Sequence, residues 1–270
     1  MIYHDIFSFP LRRQEISRWK PGKLRLRRGR PQISDRDGFV YLKGREHLIE
    51  ERLKREQISK QKAKILSTFK EIFENDKFIL MVGITGSLAM ASAGEDSDID
   101  LLLITKSGKL WTTRLKTLLR LKKMKVVRSP KSKYEKDKLC LNMWMDEFDL
   151  VIDQKNRNAY TAHEVAQIVP LVNKENTYKR LLALNSWVLD YWPNAVQIQN
   201  SNLKIQNQNS KLKAQSSFLI EKAAYLLQRT YMARKITREV VTPTRAFFHP
   251  FDWSRKVAKE LEDRGVVEAG

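Results

Sequence analysis

The stretch Gly83-Ile84-Thr85-Gly86-Ser87-Leu88-Ala89-Met90-Ala91-Ser92-Ala93-Gly94-Glu95-Asp96-Ser97-Asp98-Ile99-Asp100-Leu101-Leu102-Leu103-Ile104 decides how the rest of the chain is read. It starts at the end of an apolar run, Phe78-Ile79-Leu80-Met81-Val82, which is short enough for a buried strand and is bracketed by Gly83 and Gly86. Ile99 to Thr105 predicts a second strand, and Leu88 to Ala93 between them is good helix material. The order is therefore strand, glycine turn, helix, acidic loop, strand. Side chains alternate along a strand, so Asp98 and Asp100 project from one face while Ile99 points to the other. Ten residues separate Ser87 from Asp98, enough for a short helix and a return loop that brings the two carboxylates back beside the glycine turn.

Two carboxylates aimed at one spot suit magnesium, which takes hard oxygen ligands and is usually held by one or two carboxylates plus the oxygens of a bound phosphate. Gly86-Ser87 at the start of a helix supplies free backbone N–H groups, a close approach for an anion and a hydroxyl donor. An isolated Asp-x-Asp is more often a solvated acidic turn. Here it coincides with an upstream Gly-Ser at a strand end, with entry into an apolar strand, and with four acids within residues 95–100 of a very basic chain. Together these features point to a metal seat beside a phosphate cradle.

The segment resembles the nucleotidyltransferase superfamily that includes DNA polymerase beta, whose signature is Gly-Ser, a spacer of similar length and a hydrophobic-flanked Asp-x-Asp. The resemblance covers Phe78 to Ile104. More loosely, the whole chain resembles bacterial nucleotidyltransferase-domain proteins with a winged-helix-like N-terminus. The resemblance implies that Gly86 and Ser87 contact a nucleoside triphosphate and that Asp98 and Asp100 bind Mg2+ or Mn2+. The implied reaction transfers a nucleoside monophosphate to an acceptor hydroxyl and releases pyrophosphate. In the superfamily a third carboxylate on a later strand helps deprotonate the acceptor. Leu141-Asn142-Met143 has the expected flanks but carries an amide, so Asp146 at the end of the same strand is preferred, with Asp149 as a third option.

Composition bounds the alternatives. With 270 residues and 42% hydrophobic content, the chain has enough apolar surface for a real core. The formal charge of +20 attracts polyanions, with basic residues concentrated in Arg12 to Arg30, Lys43 to Lys64 and Lys106 to Lys138. No run approaches the roughly 18 apolar residues of a membrane span, Met1-Ile2-Tyr3-His4-Asp5 lacks the features of a signal peptide, and a cytoplasmic location is expected. The single cysteine, Cys140, lies between Leu139 and Leu141 and is read as buried and apolar. There is no Walker loop, dinucleotide fingerprint or nucleophile elbow, which argues against P-loop ATPases, dinucleotide enzymes and serine hydrolases.

The expected fold is α/β of the α+β kind, a small mixed sheet with flanking helices and a helical C-terminal region. Residues 1–44 read as a basic, degenerate winged-helix segment in which Asp37-Gly38 turns into a strand, Phe39 to Leu42, after a basic loop from Lys20 to Arg36. Residues 45–155 form the core, led by a long charged helix over Arg45 to Asn75, with a helix over Trp111 to Lys123 and a strand over Leu139 to Met145. Thr161-Ala162-His163-Glu164 matches a capping box, predicting helices from Thr161 to Tyr191 with a break at Pro170, so 156–193 is a helical region. A polar low-complexity linker over 194–216 precedes a C-terminal helix and an aromatic tail in 217–270. His163 reads as a surface residue at a helix start, His4 and His47 as silent, and His249 as a packing residue, while the tryptophans read as core.

Two functions follow from this reading. The first is a transferase acting on a Mg-bound nucleoside triphosphate, with a small molecule, a nucleic-acid end or a protein side chain as acceptor, and no membrane partner. The second is an inert nucleotidyltransferase-like protein, antitoxin-like or regulatory, that binds nucleic acid through its basic N-terminus.

Overall fold

In the computed structural model, which describes residues 1–27, 29–128, 136–198, 215–233, 240–248 and 252–269, the chain begins with short elements. These are α1 (Ile2–Asp5), β1 (Leu11–Arg12), α2 (Arg13–Arg18), β2 (Leu24–Leu26), β3 (Ile33–Arg36) and β4 (Phe39–Leu42). Asp37 and Gly38 both take positive φ, 53° and 78°, and connect Arg36 to its register partner Phe39 as a two-residue hairpin turn. β1, β4 and β3 form a three-stranded antiparallel sheet in that order. The basic stretch read as loop thus contains two strands, because pairing partners elsewhere in the fold supply what its composition does not.

The charged stretch that follows is α3 (Leu48–Ser67) and α4 (Lys70–Glu74), interrupted at Phe69. Then come β5 (Ile79–Ile84), the one-turn α5 (Gly86–Ala89), β6 (Ile99–Thr105), α6 (Leu110–Lys123) and β7 (Leu139–Asp146). α5 is shorter than the helix expected over Leu88 to Ala93, since Ala91 adopts a positive φ of 50° and turns the chain. α7 (Ala159–Ala166), β8 (Val169–Asn173), α8 (Thr177–Leu184) and α9 (Val188–Tyr191) follow, then α10 (Gln215–Ala233), β9 (Val240–Val241), β10 (Arg245–Phe247), α11 (Trp253–Asp263) and β11 (Val266–Glu268). Where a helix break was expected at Pro170, β8 forms an outer strand of the main sheet. An edge position tolerates a proline that cannot donate to a ladder. Most of the linker, together with His249 and Pro250, lies outside the described residues.

The main sheet has the order β8-β5-β6-β7-β10-β9. β6 and β7 run parallel, and every other neighbouring pair is antiparallel. Alternation along β6 sorts its residues cleanly: Ile99, Leu101 and Leu103 pack with Phe73, Trp111 and Trp144 on one face, whereas Leu102 and Ile104 pack with Met81, Met145 and Ile168 on the other. Asp98 and Asp100 share the parity of the second face, and Tyr160, His163 and Glu164 of α7 line the same cavity as they do. A separate core joins distant parts of the chain: Tyr3, Trp19 and Leu24 pack with Ala162, Trp187, Trp192 and Val257. β11 pairs with β2, tying the two ends of the described chain together.

Candidate functional site

The site forms where β5 runs out and β6 begins. Ile84 pairs with Leu101, and the Thr85 N–H donates to the Asp100 carbonyl at 3.1 Å, so the glycine turn lies directly beside the second aspartate. Gly86 has φ +60°, and a Cβ placed there would come 2.8 Å from Asp100 Oδ2. Only glycine meets both requirements without strain. With α5 a single turn long, any anion binding here rests on the unsatisfied N–H groups of a helix start and the Ser87 hydroxyl more than on a summed dipole.

The return loop is held from below by α3. The buried Lys62 donates from Nζ to the carbonyls of Glu95 and Ser97 at 3.1 and 2.7 Å, and to Asp137 Oδ1 at 2.7 Å. Ser59 Oγ accepts from the Ala93 N–H at 2.9 Å. A fully buried lysine is costly unless its charge is paired and its donors are satisfied, and here all three donors have acceptors. Nothing in the charged periodicity of α3 distinguishes Lys62 from its solvated neighbours.

Asp98 and Asp100 face one spot, as alternation predicted, and Cys140 on β7 joins them: one ligand atom from each lies within 4.8 Å of the others. Burial, reinforced by Asp98, raises the Asp100 carboxyl to about 6. Burial and both aspartates push the Cys140 thiol up as well, so its proton is held firmly and the hard oxygens are the natural metal donors. The Arg128 guanidinium donates to Asp98 Oδ2 at 3.0 Å and so occupies the position of a counter-cation. Two buried oxygens on the rim, Thr85 Oγ1 and Asn142 Oδ1, have no hydrogen-bond partner among the described residues. Paired carboxylates in a cation-seeking environment and an orphaned neutral oxygen fit a divalent metal.

The third position differs from the expectation. Asn142 donates from Nδ2 to Asp100 Oδ1 at 2.9 Å, so this amide stands beside the aspartate pair. Asp146 does not. Asp100 pairs with Cys140 but Leu102 pairs with Met143, so β7 carries one extra residue, a bulge that reverses its parity. Six residues beyond Cys140, Asp146 also lies opposite Thr105 at the far end of β6, where its carboxylate accepts from the N–H groups of Gly108 and Phe148. Asp149 is also remote, paired with Arg245 and accepting from Thr244.

A cavity of about 530 Å³ opens over the aspartates. Gly86, Ser87, Asp98 and Asp100 all line it, with Tyr3, Phe7, Tyr160 and Trp253 forming an aromatic wall. Among the described residues, the carboxylates lining it are Asp98, Asp100 and Glu164. Glu164 lies in the middle of α7, not at its start. Asn158 is the N-cap, its side-chain oxygen accepting from the Thr161 N–H at 2.9 Å, so the Thr161 capping box is not formed. Gln167 Nε2 donates to Glu164 Oε1 at 2.8 Å and reaches the Gly86 carbonyl at 3.5 Å, linking α7 to the glycine turn. Burial, then the charge of Asp100, raises the Glu164 carboxyl to about 8.

The histidines also depart from expectation. His163 is buried on the inner side of α7, stacked on Trp19 at 4.0 Å between ring centroids, with its Nε2 3.4 Å from that of the equally buried His4. Burial holds His163 neutral down to about 3 and lowers His4 strongly. Trp111, Trp144 and Trp192 are fully buried core residues, whereas Trp253 reaches the cavity. The basic residues after β6 are engaged elsewhere: Lys106 pairs with Glu175, Lys116 with Asp76, and the buried Arg114 with Gln228.

An antiparallel strand pair carrying a glycine turn and an Asp-x-Asp at one sheet end, with helices over the far face, defines a nucleotidyltransferase-type α+β domain. Residues 62–157, about a third of the chain, match the family model described as a nucleotidyltransferase domain, and the chain carries a domain of that superfamily. No curated protein and no solved structure matches the chain. Among the described residues, no helix is long and apolar enough to cross a membrane.

Proposed function

We propose that this protein transfers a nucleoside monophosphate from a magnesium-bound nucleoside triphosphate to an acceptor hydroxyl, with release of pyrophosphate. The reading rests on one observation: Asp98 and Asp100 converge within 4.8 Å on the floor of a cavity whose rim carries Gly86 and Ser87. Mg2+ or Mn2+, when bound, supplies positive charge that offsets the charge developing on the phosphate oxygens. Asp98 and Asp100 would hold it through their carboxylates, with Asn142 Oδ1 as a neutral oxygen on the same cavity. Ser87 and the N–H groups of the glycine turn hold phosphate oxygens, and Arg128, which donates to Asp98 and lines the same cavity, supplies positive charge toward a triphosphate. The aromatic wall of Tyr3, Phe7, Tyr160 and Trp253 suits a planar base, which stacks on such rings.

The test is pyrophosphate release from each of the four ribonucleoside triphosphates with magnesium across a panel of acceptors, comparing wild type with Asp98→Asn/Asp100→Asn. Release that disappears in the double variant supports the reading and identifies the nucleotide; no release and no triphosphate binding by the wild type sinks it. A second reading, a nucleotide-binding protein that acts through its basic N-terminal surface without turnover, is favoured by the amide of Asn142 in place of a carboxylate. It predicts salt-sensitive nucleic-acid affinity that survives the loss of both aspartates.

A further inference from the structure

We infer that Glu164, carried on α7 and not on the sheet, is the catalytic base that takes the acceptor's proton in this reaction. The inference rests on the proposed nucleotidyl transfer and identifies a residue beyond the segment matched to the family, which ends at residue 157.

Four observations converge on it. Among the described residues, the sheet brings no third carboxylate to the aspartates: Asn142 stands beside Asp100, and Asp146 pairs with Thr105 at the opposite end of β6. An amide has no basic lone pair for a proton, so a base must come from elsewhere. Glu164 is the remaining carboxylate on the cavity wall among the described residues, close enough to Asp100 for their charges to interact, yet outside the cluster of ligand atoms within 4.8 Å. Its side chain is oriented by Gln167, which also reaches the Gly86 carbonyl, so the base and the phosphate-binding turn are held in one frame.

Glu164 also borders a second cavity, of about 620 Å³, together with Thr85, Met143, Tyr160 and Trp253. The two cavities share these five lining residues, Glu164 among them. An acceptor in the second cavity would present its hydroxyl there. In the step, the acceptor oxygen forms a bond to the α-phosphorus and the bond from that phosphorus to the bridging oxygen of pyrophosphate breaks. The electron pair leaves with pyrophosphate, and the acceptor proton passes to a Glu164 carboxylate oxygen, which must first be ionised because burial and the charge of Asp100 raise its carboxyl to about 8.

The test uses the full chain and two measurements: calorimetric binding of a magnesium α,β-methylene triphosphate analogue, and pyrophosphate release with water and with the acceptor panel. Glu164→Gln keeps the oxygen that accepts from Gln167 and is isosteric, and circular dichroism checks that it folds. The expected result is analogue affinity within threefold of wild type with pyrophosphate release lowered at least 100-fold, the range for loss of a general base. Glu164→Asp should retain part of the activity, while Asp98→Asn/Asp100→Asn should lose analogue binding as well. Wild-type release rates in Glu164→Gln would overturn the inference, as would a loss of analogue binding equal to that of the double aspartate variant. A wild type that binds the analogue but releases pyrophosphate with no acceptor also overturns the base role and leaves the nucleotide site standing. A wild type that does neither removes the transfer reading itself.

Discussion

Asn142 donates its amide to Asp100 at 2.9 Å while its own Oδ1 is buried without a partner among the described residues, so one side chain both restrains the second aspartate and leaves an unsatisfied acceptor on the same cavity. Replacing this donor by an acceptor has a clear expected consequence. Asn142→Asp removes the hydrogen bond and adds a third carboxylate to a site where Asp100 already resists ionisation. The metal-free protein should lose about 2 kcal/mol, the sum of a lost hydrogen bond and like-charge repulsion. Magnesium should restore most of that loss. Thermal melting with EDTA and with 10 mM magnesium, roughly a saturating dose for a carboxylate site, checks it; a variant indifferent to magnesium would contradict the assignment of the metal seat.

Gly86 is constrained by both its φ of +60° and its approach to Asp100. Gly86→Ala should cost about 1–2 kcal/mol of stability through the left-handed backbone. The added methyl at 2.8 Å from Asp100 Oδ2 also has to displace that carboxylate. Triphosphate-analogue affinity measured by calorimetry should fall at least tenfold. Unchanged affinity would show that neither the turn nor the Asp100 rotamer matters for binding.

Lys62 supports the acidic loop from inside the protein. Lys62→Met keeps the volume but leaves the carbonyls of Glu95 and Ser97 and the Asp137 carboxylate without their donor. The expected loss is about 3 kcal/mol in urea denaturation, in the range for removing one partner of a buried pair. Hydrogen exchange should quicken first in residues 94–98, ahead of β6. Uniform loss of protection across the sheet would argue against a local role.

The His4–His163 pair gives the protein a pH-dependent stability. Both rings are buried, and their folded pKa values lie below the unfolded value, with His163 at about 3. Above about pH 6.5 both folded and unfolded chains hold neutral histidines and there is no cost. As pH falls below that value the unfolded chain binds protons that the folded chain refuses, so stability declines. Between pH 7 and pH 5 His163 alone should cost about 2 kcal/mol. A His4→Gln/His163→Gln variant, melted alongside wild type over this range, should have a shallower decline. Equal slopes would show that the rings become protonated without unfolding.

What the sequence by itself determined is the local part of the site. Period-two alternation sets Asp98 and Asp100 on one face of β6, and Gly86 can be read as a turn because one residue's backbone demands it. The turn at Asp37-Gly38 into β4 and the strands β5, β6 and β7 are legible for the same reason: each depends on residues adjacent in the chain. Tertiary structure decided the rest. The pairing of β7 with β6 puts Asp146 opposite Thr105, away from Asp100, and the bulge in β7 also changes its parity; neither leaves a mark in the strand's own alternation. β8 looked like a broken helix because the strand that pairs with it, β5, lies almost ninety residues earlier. Lys62, His163 and Glu164 were read as solvated or capping residues, since on a polar helix face burial is conferred by whatever packs there: the acidic loop for Lys62, Trp19 and His4 for His163, and the cavity over the aspartates for Glu164. Periodicity reports which face of an element is apolar, and only long-range packing decides which polar side chains are enclosed with the chemistry.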